Sequence, residues 1–219
     1  MESTVDYKER IIGYIKRNRV SSTEVADCLG KTGALPGVTP VNRGHFAVGN
    51  VYWTYAYGET NWHVHDQIQD VAEDDVVLTE VFECADRAIY GDLVAKYLIL
   101  YRLAGALVVT GNLRDAPRLI KENWPAWCEG FNPIGCNNEP LESDLALDII
   151  AERRAIYHGA IAVCDDTGVV IIPKEHQNEE FIKKLKFIEN QEDIWYECID
   201  RKKWSTFDTI CLKKYKNDS

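Results

Sequence analysis

Three features of the sequence predict an α/β protein with a mostly parallel sheet. Segments rich in β-branched and aromatic residues alternate with segments of helical periodicity through the middle of the chain. An apolar β-type run, Ala106 to Thr110, ends on Gly111-Asn112-Leu113-Arg114-Asp115, the place where such folds carry their polar side chains. No stretch rich in Pro, Gly or Ser and no internal repeat divides the 219 residues, of which 46% are hydrophobic. One core-bearing domain with terminal extensions is therefore expected: an N-terminal helix over 1–20, a central domain over 21–175, and a helical and aromatic extension over 176–219 that packs on the body or on a neighbouring subunit.

Taken in order, Val5 to Asn18 sets Ile11, Ile12 and Ile15 on one side of a charged helix. Ser21-Ser22-Thr23-Glu24 reads as a capping box opening a second short helix that stops at Gly30. Gly33, Pro36, Gly37 and Pro40 make Lys31 to Arg43 a loop. Alternation of Val51, Trp53, Tyr55 and Tyr57 gives a half-buried strand over His45 to Tyr57. A helix follows over Val64 to Ala72, the pair Asp74-Asp75 turns the chain, and Val76 to Phe82 is a strand. A helix runs from Tyr90-Gly91-Asp92 to about Leu103, the run Ala106 to Thr110 is a strand, and Ala116 to Asn123 is a helix that brings the chain to Trp124-Pro125. Periodicity over Glu142 to Arg154 fits helix and strand about equally. Ala160 to Cys164 and Val169 to Ile172 form a hairpin through Asp165-Asp166-Thr167-Gly168, Glu179 to Asn190 is a charged helix, and Trp195, Tyr196, Trp204 and Phe207 mark an aromatic tail that must pack on something.

A net charge of −10 repels a phosphate backbone, so general nucleic-acid binding is not expected. The first twenty residues are too charged for the apolar middle of a signal peptide, and Leu93 to Val109 is interrupted by Lys96 and Arg102 and falls short of a membrane span. A soluble, cytoplasmic protein is expected. Its seven cysteines are irregularly spaced with no C-x-x-C, which reads as reduced, largely buried thiols.

Chemistry concentrates in two segments. Arg114-Asp115 offers a cationic fork and a carboxylate able to hold a divalent ion, while Gly91-Asp92-Leu93-Val94 lies at a helix start, whose free amides can take a carboxylate or phosphate. Together these parts would stabilise an enolate next to a carboxylate. The competing reading is a surface salt bridge and an ordinary cap. His63 and His65 would share a face on a strand as zinc ligands often do, but no third ligand is apparent.

The run Gly91-Asp92-Leu93-Val94-Ala95, then Ala104-Gly105-Ala106-Leu107-Val108-Val109, then Gly111-Asn112-Leu113-Arg114-Asp115 resembles the signature of the RraA-like family. Similar blocks recur in order: Val25 to Gly33, Gly58-Glu59-Thr60-Asn61-Trp62 with His65, Trp124 to Trp127, and Asp165 to Pro173. The resemblance covers roughly Ser21 to Pro173 and is nearest the class II pyruvate aldolases of the 4-hydroxy-4-methyl-2-oxoglutarate and 4-carboxy-4-hydroxy-2-oxoadipate type.

It implies an RraA-like swivelling β/β/α sandwich with N- and C-terminal helical extensions, 21–175 being the catalytic domain. It implies Asp115 as the single protein ligand of Mg²⁺ or Mn²⁺, Arg114 on the keto or enolate oxygen of a pyruvyl unit, and Gly91 with the amides of Asp92, Leu93 and Val94 around the substrate carboxylate. It further implies trimers or hexamers with sites between subunits, and a lyase that acts on a 2-oxo acid as aldolase, oxaloacetate decarboxylase or both. The alternatives are the RraA-type regulator that binds a ribonuclease, and a catalytically inactive member. For Glu142 to Arg154 the resemblance implies strands, and that assignment is adopted.

Four departures from the family pattern stand out. One extra residue separates Asp92 from Arg114, so that the strand either bulges near Ala106 to Thr110 or turns Arg114 away. Thr110 and Ala160 stand where acids are usual. The glutamate that an adjacent subunit's C-terminal helix supplies in the aldolases falls on Gln191, leaving Glu192 beside it as the candidate inter-subunit acid.

Overall fold

The computed structural model describes residues 6–217, so the Val5 start of the first helix lies outside the described residues. Seven strands, β1 (Thr39–Pro40), β2 (Ala47–Tyr57), β3 (Val76–Phe82), β4 (Ala106–Leu113), β5 (Ala126–Phe131), β6 (Ile161–Asp165) and β7 (Gly168–Ile172), line up in the order β1-β5-β4-β3-β2-β6-β7. The pairs β2–β3, β3–β4 and β4–β5 are parallel; β1, β6 and β7 join antiparallel.

Strand β2 folds this sheet into two layers. Its first residues, Ala47 to Asn50, pair with β6, and from Val51 onward it pairs with β3. Gly49 sits at the changeover, where an added Cβ would lie 2.3 Å from the Asp74 carbonyl oxygen. One face of the parallel strands, through Val76, Leu78, Ala106, Val108 and Trp127, packs against Ala160, Ala162, Cys164, Val169 and Ile171 of the hairpin region. The opposite face, through Val77, Leu107, Val109 and Cys128, lies under α3 (Trp62–Gln67), α4 (Asp92–Lys96) and α5 (Ala116–Lys121). The far face of the hairpin, Ile161, Val163, Val170 and Ile172, is covered by α1 (Tyr7–Asn18), α2 (Ser22–Cys28) and α7 (Glu179–Tyr196). Period-2 alternation in each strand thus feeds two different cores, which makes the arrangement a β/β sandwich with a helical layer on either side.

Local signals read from the sequence recur at atomic detail. Ser21 accepts from the Glu24 amide while Glu24 accepts from the Ser21 amide, a complete capping box on α2. The helix expected over 64–72 starts earlier, at Trp62, and closes in one 3₁₀ turn over Ile68–Asp70. The helix after Tyr90 is α-helical only over α4 and then widens into a π-helical turn, Tyr97–Tyr101. Strand β5 was not foreseen, because Glu129 and Gly130 interrupt its apolar pattern. In the tail Cys198, Thr209 and Tyr215 are buried, whereas Tyr196 and Phe207 are exposed.

Residues 142–154 correct the expectation of strands: α6 (Leu147–Tyr157) is a helix. Its inward side carries Ile150, half-buried Arg153 and Tyr157, a helical period that a hydrophobicity reading sees poorly because its middle member is an arginine. Arg153 forks onto both carboxylate oxygens of Glu80, a nearly buried side chain that also accepts from the Trp53 indole at 2.7 Å. Arg154 lies over the Trp53 ring at 5.9 Å.

Removing Arg153 would leave the Glu80 carboxylate with only the indole donor. Arg153→Ala is expected to lower stability by about 2 kcal/mol, reduced from the fully buried case because the arginine is part-exposed. Urea unfolding checks this; a loss under about 0.5 kcal/mol would show that Glu80 does not depend on the pair.

Candidate functional site

The extra residue before Arg114 is a bulge. Val109 pairs with Cys128 and Asn112 with Gly130, so three steps along β4 match two along β5. Pairing between β3 and β4 ends at Thr79 and Val109, where the bulge begins. Gly111 sits in it because a Cβ there would lie 2.9 Å from Val81 Cγ2.

Freed from β3, the end of β4 takes a new neighbour. Ala88 bridges Asn112, the Ile89 amide donates to the Asn112 carbonyl at 2.9 Å, and the Arg114 amide donates to the Tyr90 carbonyl at 3.0 Å. This pairing carries Gly91 and the start of α4 directly against Arg114-Asp115. The fit leaves no space for a side chain at 91: a Cβ there would lie 2.1 Å from Asp115 Oδ2 and 2.8 Å from Arg114 Cγ. Gly135 does the same on the other flank, where a Cβ would be 2.4 Å from Arg114 Nη1.

Asp115 adopts a left-handed backbone, φ 58° and ψ 33°, at the N-cap of α5. Asp tolerates that conformation better than most residues, and strain of this kind gathers at functional sites. Its Oδ2 receives the Asp92 amide at 3.3 Å and lies 3.7 Å from Arg114 Nε. The Asp92 carboxylate binds Arg118 Nη1 at 2.6 Å, and that hydrogen bond holds the Asp92 carboxyl below its ordinary value. Two cations and two anions therefore meet on one surface, with the Arg114 and Asp115 side chains about half exposed.

The structure thus brings together Arg114, Asp115, Gly91 and Asp92. The amides of Leu93 and Val94 lie in the first turn of α4, and Leu93 is exposed. The Asp92 amide is already engaged with Asp115. Glu192 lies elsewhere in the chain, on α7, where burial and then the negative charges of Glu24 and Asp27 raise its carboxyl. His63 and His65 lie on α3, two residues apart and so on different sides of a helix; His63 faces Asp144 at 3.3 Å.

Sequence reasoning missed the residues that hold this site in place. Asn61 donates to the Ile89 carbonyl at 2.8 Å, Arg87 binds Glu59 at 2.6 Å and the Gly135 carbonyl at 3.0 Å, and Arg118 holds Asp92. The run Gly58 to Trp62 was the available signal for Asn61 and Glu59; nothing in residue spacing links Arg118 to Asp92.

Among the described residues no three His, Cys, Asp or Glu side chains converge to hold a metal. A divalent ion at Asp115 would have that carboxylate alone from this chain, a donor set that suits Mg²⁺ because Mg²⁺ keeps several of its waters. Asp115 is a half-exposed carboxylate with hard oxygen donors and open surroundings, so it fits such an ion.

A family model described as RraA-like, Aldolase/RraA, matches residues 22–171. The chain belongs to the RraA-like family. Among its relatives, the protein of Halalkalibacterium halodurans named "Putative 4-hydroxy-4-methyl-2-oxoglutarate aldolase" is 27% identical over 76% of this chain and 79% of its own length. Protein DlpA of Legionella pneumophila is 24% identical over 82% of this chain, which spans only 30% of DlpA. The crystal structure of Streptomyces coelicolor RraAS2, described as an unusual member of the RNase ES inhibitor RraA protein family, superposes with a TM-score of 0.63 at 24% identity, covering 80% of this chain and 91% of RraAS2. The mixed sheet flanked by helices is the RraA-like fold. No helix among the described residues is long and apolar enough to cross a membrane.

The Arg118 contact sets how Asp92 titrates. Because its folded-state value is depressed, the stability this pair contributes is present above the unfolded value and is lost as pH falls through the folded one. Carboxyl-carbon NMR should place Asp92 below the ordinary 3.8 and return it upward in Arg118→Ala. An unmoved Asp92 would contradict the pairing.

Proposed function

We propose that this RraA-like chain is a divalent-metal-dependent lyase that cleaves a carbon–carbon bond of a 2-oxo acid with a pyruvyl end, as aldolase, oxaloacetate decarboxylase or both. The observation that supports the reading is the convergence of Arg114 and Asp115 on the backbone of Gly91 and Asp92. Asp115 would hold Mg²⁺ or Mn²⁺, which supplies Lewis acidity beside the 2-oxo group when bound.

The chain's own groups do the rest. Arg114 offers its fork to the 2-oxo oxygen, and its charge opposes the negative charge that gathers there as the bond breaks and a pyruvate enolate forms. The amides of Leu93 and Val94, with that of Asp92 shared with Asp115, receive the substrate carboxylate at the positive end of the helix. Gly91 and Gly135 leave the Arg114 side chain its place. Self-association into trimers or hexamers would bring Glu192 of an adjacent subunit to the pair, where a carboxyl raised by burial can hold a proton for transfer to or from the leaving half.

A second reading, the protein-binding regulator of a ribonuclease or an inactive member, is favoured by the exposed apolar side chains of Leu93, Phe131 and Ile134 near the pair. Pyruvate release from oxaloacetate and from 4-hydroxy-4-methyl-2-oxoglutarate, with and without a chelator, separates the two. Chelator-sensitive turnover is expected, falling by about a hundredfold or more in Arg114→Ala and in Asp115→Ala. No turnover on either substrate, or turnover indifferent to both changes, overturns the lyase; tight ribonuclease binding without turnover supports the regulator.

A further inference from the structure

Cys84 and Cys136 come from segments far apart in sequence and meet under the surface that carries the site. Cys84 follows β3 in a turn whose neighbours, Glu83 and Ala85, are both exposed and both left-handed, at φ 54° and 47°. Cys136 lies in the loop after β5, between half-buried Gly135 and exposed Asn137. A short ladder clamps the two segments: the Ala88 amide donates to the Ile134 carbonyl at 2.8 Å, the Cys136 amide to the Ala88 carbonyl at 2.9 Å, and the Arg87 amide to the Cys84 carbonyl at 3.1 Å. Both thiols lie in one apolar cluster, 1% and 9% exposed, each sets how the other titrates, and the Cys84 thiol donates to the Phe82 carbonyl at 3.4 Å.

Their proximity makes the sulfurs unequal. The interaction with Cys136 draws the Cys84 thiol below its ordinary value against the opposing effect of burial, while Cys136 is pushed up. At two other buried thiols burial acts upward, raising Cys128 to about 11 and raising Cys164 as well. Cys128 donates to the Gly130 carbonyl, as Cys84 does to that of Phe82. Arg87 sets a positive charge near Cys136, and the Glu59 carboxylate bound to it sets an opposing negative charge near both sulfurs.

We propose that Cys84 and Cys136 form a redox couple that closes to a reversible intrachain disulfide when the protein meets a peroxide. The Cys84 sulfur attacks one peroxide oxygen; the S–O bond forms, the O–O bond breaks, and the far oxygen leaves as water once protonated. The Cys136 sulfur then attacks the resulting sulfenic sulfur; the S–S bond forms, the S–O bond breaks, and the hydroxyl leaves with the Cys136 proton as a second water. Two electrons pass from the sulfurs to the peroxide. Access comes from the Glu83–Ala85 turn, where exposed residues in strained backbone flank the Cys84 thiol, so that a local opening suffices. Closure acts one residue from Gly135, the backbone on which the Arg114 guanidinium rests. The inference stands on the sulfur pair and does not depend on lyase activity.

The full native chain is exposed to hydrogen peroxide, quenched, unfolded, alkylated and mapped by mass spectrometry. Two of the seven thiols should lose their label together, in a peptide pair linking Cys84 to Cys136, and both labels should return after reduction with a thiol. Cys84→Ser and Cys136→Ser are each expected to abolish the link, with Cys84→Ser leaving Cys136 labelled and Cys136→Ser leaving Cys84 as a trapped sulfenic acid. The proposal is overturned if both residues stay fully labelled under peroxide, if Cys84 goes to sulfinic acid without linking, or if either sulfur links to Cys128 instead. Because the mapping is done on the unmutated protein, a variant that fails to fold does not spare the proposal.

Discussion

One extra residue in β4 governs where everything else at the site falls. The register slips against β5 between Val109 and Asn112, pairing with β3 stops at Val109, and the segment from Ala88 to Tyr90 joins the edge beyond it. A strand edge thus opens at the carboxyl end of the parallel sheet and the Arg114 amide finds the Tyr90 carbonyl. Gly91 then arrives where any side chain would collide with Asp115. The candidate site is a consequence of backbone hydrogen bonding first and of side-chain chemistry second.

The electrostatics follow from that placement. Arg114 and Arg118 are balanced by Asp92 and Asp115, so the cluster is near neutral within a chain of net charge −10. A divalent ion on Asp115 would turn the cluster positive and make it a place where an acidic protein can still collect an anion. Asp92 is held by Arg118, and Arg114 lies beside Asp115 with its side chain about half exposed.

Much of this was legible in the sequence, for identifiable reasons. The α/β class, the hairpin at Asp165–Gly168 and the capping box at Ser21 rest on local rules, and local rules survive folding. The bulge was legible only as one residue too many against a family pattern, and the structure decides between its two readings in favour of convergence. Over 142–154 the strand assignment came from the resemblance, while periodicity fitted helix as well; Arg153, half-buried and bonded to Glu80, weakened the apolar signal that would have favoured the helix. Asn61, Arg87 and Arg118 were invisible for a different reason: each acts on a backbone or carboxylate more than twenty residues away, which only the fold brings near. His63 and His65, for which the sequence offered no third ligand, lie on different sides of a helix.

The central claim is that Asp115, fixed by the Gly91–Asp92 backbone, is the one protein group presenting a carboxylate to a divalent ion. Water-proton relaxation during Mn²⁺ titration of the native chain and of Asp115→Ala measures this without reference to any substrate. The account requires Mn²⁺ binding by the native chain that weakens by about tenfold or more in the variant. Equal affinity in the two proteins would contradict it.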